Sequence, residues 1–278
     1  MKKPCTNGQK FRTARIILAL AVLLGGTGPA WAQSPPASPQ SPEVIGGAAN
    51  GCLANSAALP SDGPGFEAIR ISRRRFFGHG DTVAFVERLG AAAKAAGLQT
   101  FYVGDMSMRR GGPMPSGHGS HQNGLDVDIW FNLERKPALA PAEREDVPLP
   151  SMLRADGREI DPARFGRDQA ALLRLAATDP HTDRIFVHWA IKQALCADPR
   201  SRSWLHRLRP WWGHDEHFHV RLHCPPDSPD CAGQEPIPPG DGCDASLAWW
   251  AEKHERPTAP PGPRPPPPPR CRSLLSER

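Results

Sequence analysis

Five of the eleven histidines fall in two short stretches of the chain, His118 and His121 in one and His214, His217 and His219 in the other. Imidazole is the side chain best suited both to moving a proton near neutral pH and to binding a transition metal. The first stretch, residues 115–131, reads PSGHGSHQNGLDVDIWF. Its front is glycine-rich loop, and its back alternates with period two. Leu125, Val127, Ile129 and Phe131 would face one side of a strand, and Asp126, Asp128 and Trp130 the other. The second stretch, residues 211–222, reads WWGHDEHFHVRL. Phe218, Val220 and Leu222 would enter a core, while His217, His219 and Arg221 share the opposite face. Loop histidine, strand carboxylate and a histidine from a distant strand meet the ligand count of a catalytic zinc, which keeps one position for water.

Other hydrolytic chemistries lack their residues. There is no Gly-x-Ser-x-Gly elbow, no Ser-x-x-Lys and no His-Glu-x-x-His helix; His214-Asp215-Glu216-His217 has the wrong spacing for the last. Trp211 and Trp212 either wall a peptide groove or fill the core.

Mixed elements must position these stretches. Asp81 suits the N-cap of a helix that places Phe85, Val86, Leu89 and Ala93 on one face and closes at Gly97. Thr100–Val103 reads as a strand, Gln169–Thr178 as a helix stopped by Asp179-Pro180, and Arg184–Val187 as a strand leading into a short helix through Ile191 and Leu195. The pattern is α+β rather than alternating α/β.

The ends differ from the centre. Residues 1–32 carry five basic residues, no acid, an apolar core at Ile16–Leu24 and a small-residue site at Ala30-Trp31-Ala32. They read as a cleavable secretory signal, too short in its apolar run for a membrane span. Without them 29 basic residues balance 29 acidic ones, so no basic footprint marks a nucleic-acid binder. Residues 33–44 have linker composition, residues 45–255 form the domain, and residues 256–278 are a Pro/Arg-rich tail ending beyond Cys271. Six cysteines remain after the signal, an even number that favours disulfides in an oxidising compartment such as the periplasm. Six cysteines allow 15 pairings, of which only Cys224–Cys231, around a turn-rich segment, is easily argued from spacing.

The segments SGHGSHQNGLDVDIW, RPWWGHDEHFHVRLHCP and GDGC resemble those of the penicillin-insensitive murein endopeptidases of Gram-negative bacteria. That family belongs with the D-Ala-D-Ala metallopeptidases and is similar to the hedgehog signalling domain. The resemblance covers most of residues 45–255. It implies a disulfide-stapled α+β fold with a central antiparallel sheet and flanking helices. It also implies a catalytic Zn2+ on His121, Asp128 and His219, with His118 at or beside the metal, His217 as catalytic histidine and His214 in support. An accessory metal position would fall on Asp156 and Glu159, where this chain has glutamate in place of the family's histidine. Arg109 would meet a substrate carboxylate or a developing oxyanion. The pairings implied are Cys52–Cys271, Cys196–Cys243 and Cys224–Cys231. The activity implied is hydrolysis of D-alanyl–meso-diaminopimelyl cross-links in peptidoglycan, without penicillin sensitivity. A carboxypeptidase on the same metal site, and a zinc-containing wall-binding module without hydrolysis, remain the competing readings.

Overall fold

The computed structural model describes residues 40–133, 139–198, 202–253 and 265–276. The expected signal, the linker up to residue 39 and the tail at 256–264 and 277–278 lie outside the described residues. The elements are β1 (Glu43–Gly47), β2 (Asn50–Ala54), β3 (Ala57–Ala58), β4 (Asp62–Gly63), β5 (Phe66–Ala68), β6 (Phe77–Gly78), α1 (Gly80–Ala95), β7 (Phe101–Val103) and β8 (Asp126–Trp130). After these come α2 (Arg167–Thr178), β9 (Thr182–Val187), α3 (Trp189–Cys196), β10 (Leu208–Pro210), β11 (His217–Leu222), α4 (Ser246–Glu252) and α5 (Pro269–Ser276).

Seven strands form the main sheet in the order β10-β9-β11-β8-β7-β5-β4. Its middle is antiparallel: β11 pairs with both β8 and β9, and β7 pairs with β8. Its flanks are not. β10 runs parallel to β9 and β5 parallel to β7, so the expected antiparallel sheet is corrected to a mixed one. The reason lies in the connections. Helix α1 stands between β5 and β7 in the chain, and α3 between β9 and β10. A parallel neighbour needs such a crossover, whereas a tight hairpin can only make an antiparallel one.

The helices form where the apolar spacing places them. Helix α1 buries Phe85, Val86, Leu89 and Ala93, and α2 buries Leu172, Leu173, Ala176 and Ala177. The N-cap of α1 is His79 rather than Asp81, its ring nitrogen accepting the Asp81 N–H at 3.2 Å. Together with Val127, Ile129, Phe131, Phe218, Val220 and Leu222 these side chains make one continuous core. At the end of the chain, α5 packs on β2 and Cys271 is fully buried. Disulfides join Cys52 to Cys271, Cys196 to Cys243 and Cys224 to Cys231, with Cα–Cα distances of 5.5, 5.6 and 5.8 Å. Among the described residues no helix is long and apolar enough to cross a membrane.

Candidate metal centre

The β8–β11 ladder builds the site. Its antiparallel register sets Asp128 opposite His219, Asp126 opposite Arg221 and Trp130 opposite His217. Because side chains alternate, all six stand on the face away from the core of Val127, Ile129, Phe218 and Val220. Asp128 and His219 are nonetheless almost wholly buried, since the 117–121 loop folds over them.

Three histidine nitrogens converge on one carboxylate oxygen. Asp128 Oδ1 lies 3.3 Å from His121 Nε2, 3.5 Å from His219 Nδ1 and 3.7 Å from His217 Nε2. His118 reaches the other oxygen, with Nδ1 3.7 Å from Asp128 Oδ2. The rings of His118 and His121, and of His121 and His219, are 4.4 Å apart. Both ring nitrogens of His121 and Asp128 Oδ1 are buried without a hydrogen-bond partner. A buried polar atom left unpaired costs free energy. Here one His121 nitrogen, Nε2, faces the unpaired Asp128 Oδ1, and the donor spacing fits a metal ion held by His118, His121 and Asp128. Nitrogen and carboxylate ligands suit zinc among other divalent metals.

Charges outside this cluster orient it. Asp126 accepts two hydrogen bonds from Arg221, at 2.6 and 2.9 Å, and one from the backbone N–H of His121 at 2.9 Å. Its Oδ1 also lies 3.3 Å from His219 Nε2, so it fixes both a ligand candidate's ring and the loop of another. Although Asp126 also falls within ligand distance of His121 and His219, the Arg221 fork already occupies its oxygens. On the other side, Asp105 receives Arg75 at 2.8 Å and His118 Nε2 at 3.1 Å. Asp105 and Arg75 escape sequence reasoning; the one available signal is an acid two residues past the Thr100–Val103 strand.

Two of the histidines sit on left-handed backbone, His121 at φ 64° and His214 at φ 59°. Such conformations cost of order 1–3 kcal/mol and persist where the surroundings over-determine them. The Asp126 carboxylate holds the His121 N–H. The His188 N–H donates to His214 O at 2.9 Å, and the His214 ring nitrogen Nδ1 donates to Trp212 O at 2.9 Å.

Burial governs the titration. Desolvation pushes His214 down to about 3 and His219 to about 4, and lowers His217, despite the nearby aspartates. Desolvation is also the largest influence on His121 and opposes its charge, but the carboxylates of Asp128 and Asp126 together raise that histidine. Burial works against the carboxylate of Asp128 too, yet His121 and His217 hold it well below its usual range; Arg221 and His219 do the same for Asp126.

The remaining expected residues stand apart. Arg109 is exposed and, among the described residues, makes no hydrogen bond or ion pair with the cluster. Asp156 and Glu159 are exposed on a turn, where Asp156 accepts the Arg158 N–H at 3.0 Å and Glu159 lies 3.7 Å from Arg154. A cavity of about 400 Å³ opens beside the cluster, lined by His118, His214, His219, Phe186, Trp211 and Trp212 among others.

Comparison with known proteins identifies the family. Residues 44–276 match the family described as penicillin-insensitive murein endopeptidase. A protein of that name from Yersinia enterocolitica is 42% identical over 262 residues, covering 93% of this chain and 94% of its own. Another of that name from Salmonella heidelberg is 43% identical over 242 residues, covering 86% and 88%. The chain belongs to the penicillin-insensitive murein endopeptidase family.

Proposed function

We propose that the protein is a zinc-dependent endopeptidase that hydrolyses D-alanyl–meso-diaminopimelyl cross-links of peptidoglycan in the periplasm, and that penicillin does not inhibit it. The observation that carries this reading is the convergence of three histidine nitrogens on the unpaired Asp128 Oδ1 at the edge of an open cavity. The names of the relatives supply the substrate, and the three disulfides suit an oxidising compartment.

His121, Asp128 and His219 would hold the metal, with His118 completing the set. A zinc ion there would supply Lewis acidity, bringing a water's pKa to about 7 and polarising an amide carbonyl. The chain's own residues supply the rest. Asp126 fixes the ring of His219 and Asp105 that of His118, and such outer partners hold a ligand's tautomer and orientation. His217 lies two residues from His219 on the same face, and burial keeps it neutral at pH 7. A neutral imidazole can take a proton from the attacking water and return it to the leaving side-chain amine of diaminopimelate. His214, with Nδ1–H committed to Trp212 O, presents Nε2 as an acceptor, and its ring centre lies 5.0 Å from that of His217. This route forms no acyl-serine, so β-lactams have no covalent target.

The test is chromatography of muropeptide dimers treated with zinc-loaded protein, with chelator, with penicillin and with His217→Ala. Dimers should become monomers, except with chelator or the variant, and penicillin should change nothing. The variant should still bind zinc while losing about 10²–10⁴-fold in kcat. Intact dimers with zinc-loaded wild type would sink the reading. Release of D-alanine from monomeric stems alone would replace it with a carboxypeptidase.

A further inference from the structure

Among the described residues two large apolar side chains are exposed, Trp211 at 43% and Trp249 at 49%. Both belong to one cluster. Trp211 meets Trp212 at 5.3 Å between ring centres and Trp250 at 6.1 Å; Trp249 meets Trp250 at 5.1 Å and Trp212 at 6.4 Å. The cluster is built rather than accidental. Trp250 packs against the core, the Trp212 indole N–H donates to Lys253 O at 2.9 Å, and the Cys196–Cys243 disulfide ties α3 to the segment entering α4. It is also continuous with the candidate site, because Trp211 and Trp212 line the cavity and Trp211 packs edge-on to Phe186 of β9 at 5.8 Å.

The sheet order places the aromatic and charged rims on opposite sides of the cluster. Across the site face run β9, β11, β8 and then β7. The tryptophans stand over the β9 side. On the β7 side, Asp105 gathers Arg75 and the half-exposed Arg73, and Arg70 lies 4.9 Å over Trp130. Neighbouring strands are about 4.8 Å apart, so β9 and β7 themselves lie roughly 14 Å apart across the site face. A peptide stem carries free carboxylates, which suit the arginine rim. A glycan strand offers uncharged pyranose rings whose C–H faces suit exposed indole surface, apolar in body with a polar handle.

We propose that Trp211 and Trp249 form a stacking platform for the pyranose rings of the substrate's glycan strand, seating the sugar on the β9 side while the peptide crosses the metal centre. This rests on the murein reading above and adds a second recognition element to it. Both chemistries of the substrate are then read at once, and a cross-link still attached to glycan is preferred over a free peptide.

The experiment compares kcat/KM for peptide dimers that carry their disaccharides with the same dimers stripped of sugar by an amidase. Wild-type enzyme should favour the sugar-bearing dimer roughly three- to tenfold, mainly through KM. Trp249→Ala should bring that ratio close to one, and Trp249→Phe, which keeps a ring, should retain an intermediate preference. A wild-type ratio of one, or a ratio unchanged in Trp249→Ala, would overturn the platform. If wild type cleaves neither dimer, the endopeptidase reading has failed instead. Titration of tryptophan fluorescence with stem-free glycan strands then decides the platform alone: saturable quenching weakened in Trp249→Ala supports it, and no quenching in wild type overturns it.

Discussion

Asp126 and Asp128 sit on one strand face, two residues apart, both buried, yet their surroundings divide them. Arg221 forks onto Asp126 and leaves it no free oxygen, whereas Asp128 Oδ1 has only histidine rings around it. A carboxylate committed to a bidentate guanidinium orients its neighbours, and one without hydrogen-bond partners is available to a cation. Asp126→Asn separates the two tasks. The amide keeps the volume and can still accept the His121 N–H, but it cannot balance the buried Arg221 charge or hold the His219 ring as firmly. Metal affinity should fall about 10–100-fold, which competition against a zinc chelator would read. An unchanged affinity would mean that Asp126 serves folding alone. Asp128→Asn should instead abolish tight binding, because it removes a ligand charge.

At the scale of elements, the glycine-rich loop and two strands make the site, and their order of legibility follows their physics. Period-two alternation showed which side chains of β8 and β11 share a face, because strand geometry is local. It could not show that Asp128 lies opposite His219, since register depends on pairing between segments about ninety residues apart. Asp105 and Arg75 were hidden for the same reason: each reaches the site from a separate loop with no repeating pattern. The proline-rich composition beyond residue 255 likewise masked α5, whose eight residues begin at the last proline and are held by a buried cysteine. The parallel flanks of the sheet follow from helices that were legible, once their role as crossovers is seen. The loop's own anchoring gives a test. Gly111 has φ +67°, and a Cβ there would meet Gln122 O at 2.1 Å and Cys52 Cα at 2.9 Å, both backbone atoms. Gly111→Ala must therefore push Gln122, the neighbour of His121, away from β2. We expect a loss of about 1–3 kcal/mol in denaturant unfolding, with weakened zinc binding beside it. Full stability in this variant would show the loop free to shift.

Across the whole molecule two kinds of constraint act on the site from a distance. Cys52–Cys271 ties β2 to the end of the chain over 219 residues, and closure of so long a loop restricts the unfolded chain strongly. Replacing both cysteines by alanine should cost about 2–5 kcal/mol. The second constraint is the buried charge, and its sign is definite. His214 and His219 are held at about 3 and about 4 by desolvation, against about 6.5 in an unfolded chain. Between those limits the unfolded state binds more protons than the native one, so stability rises with pH there and is lost as pH falls below about 6.5. Each histidine can contribute up to about 1.4 kcal/mol per pH unit across its window. His217, also lowered, acts in the same direction. The raised His121 acts oppositely: its stabilising contribution is complete below about 6.5 and fades as pH rises above it. The depressed Asp126 and Asp128 add a further loss once pH drops below about 4. Metal-free protein should therefore melt at steadily lower temperature from pH 6.5 to pH 4. Zinc should raise the melting temperature most near pH 7 and progressively less toward pH 5, because protons compete for the same imidazoles. A flat profile between pH 6.5 and 4 in the metal-free protein would mean that these histidines are solvated rather than sealed beneath the loop.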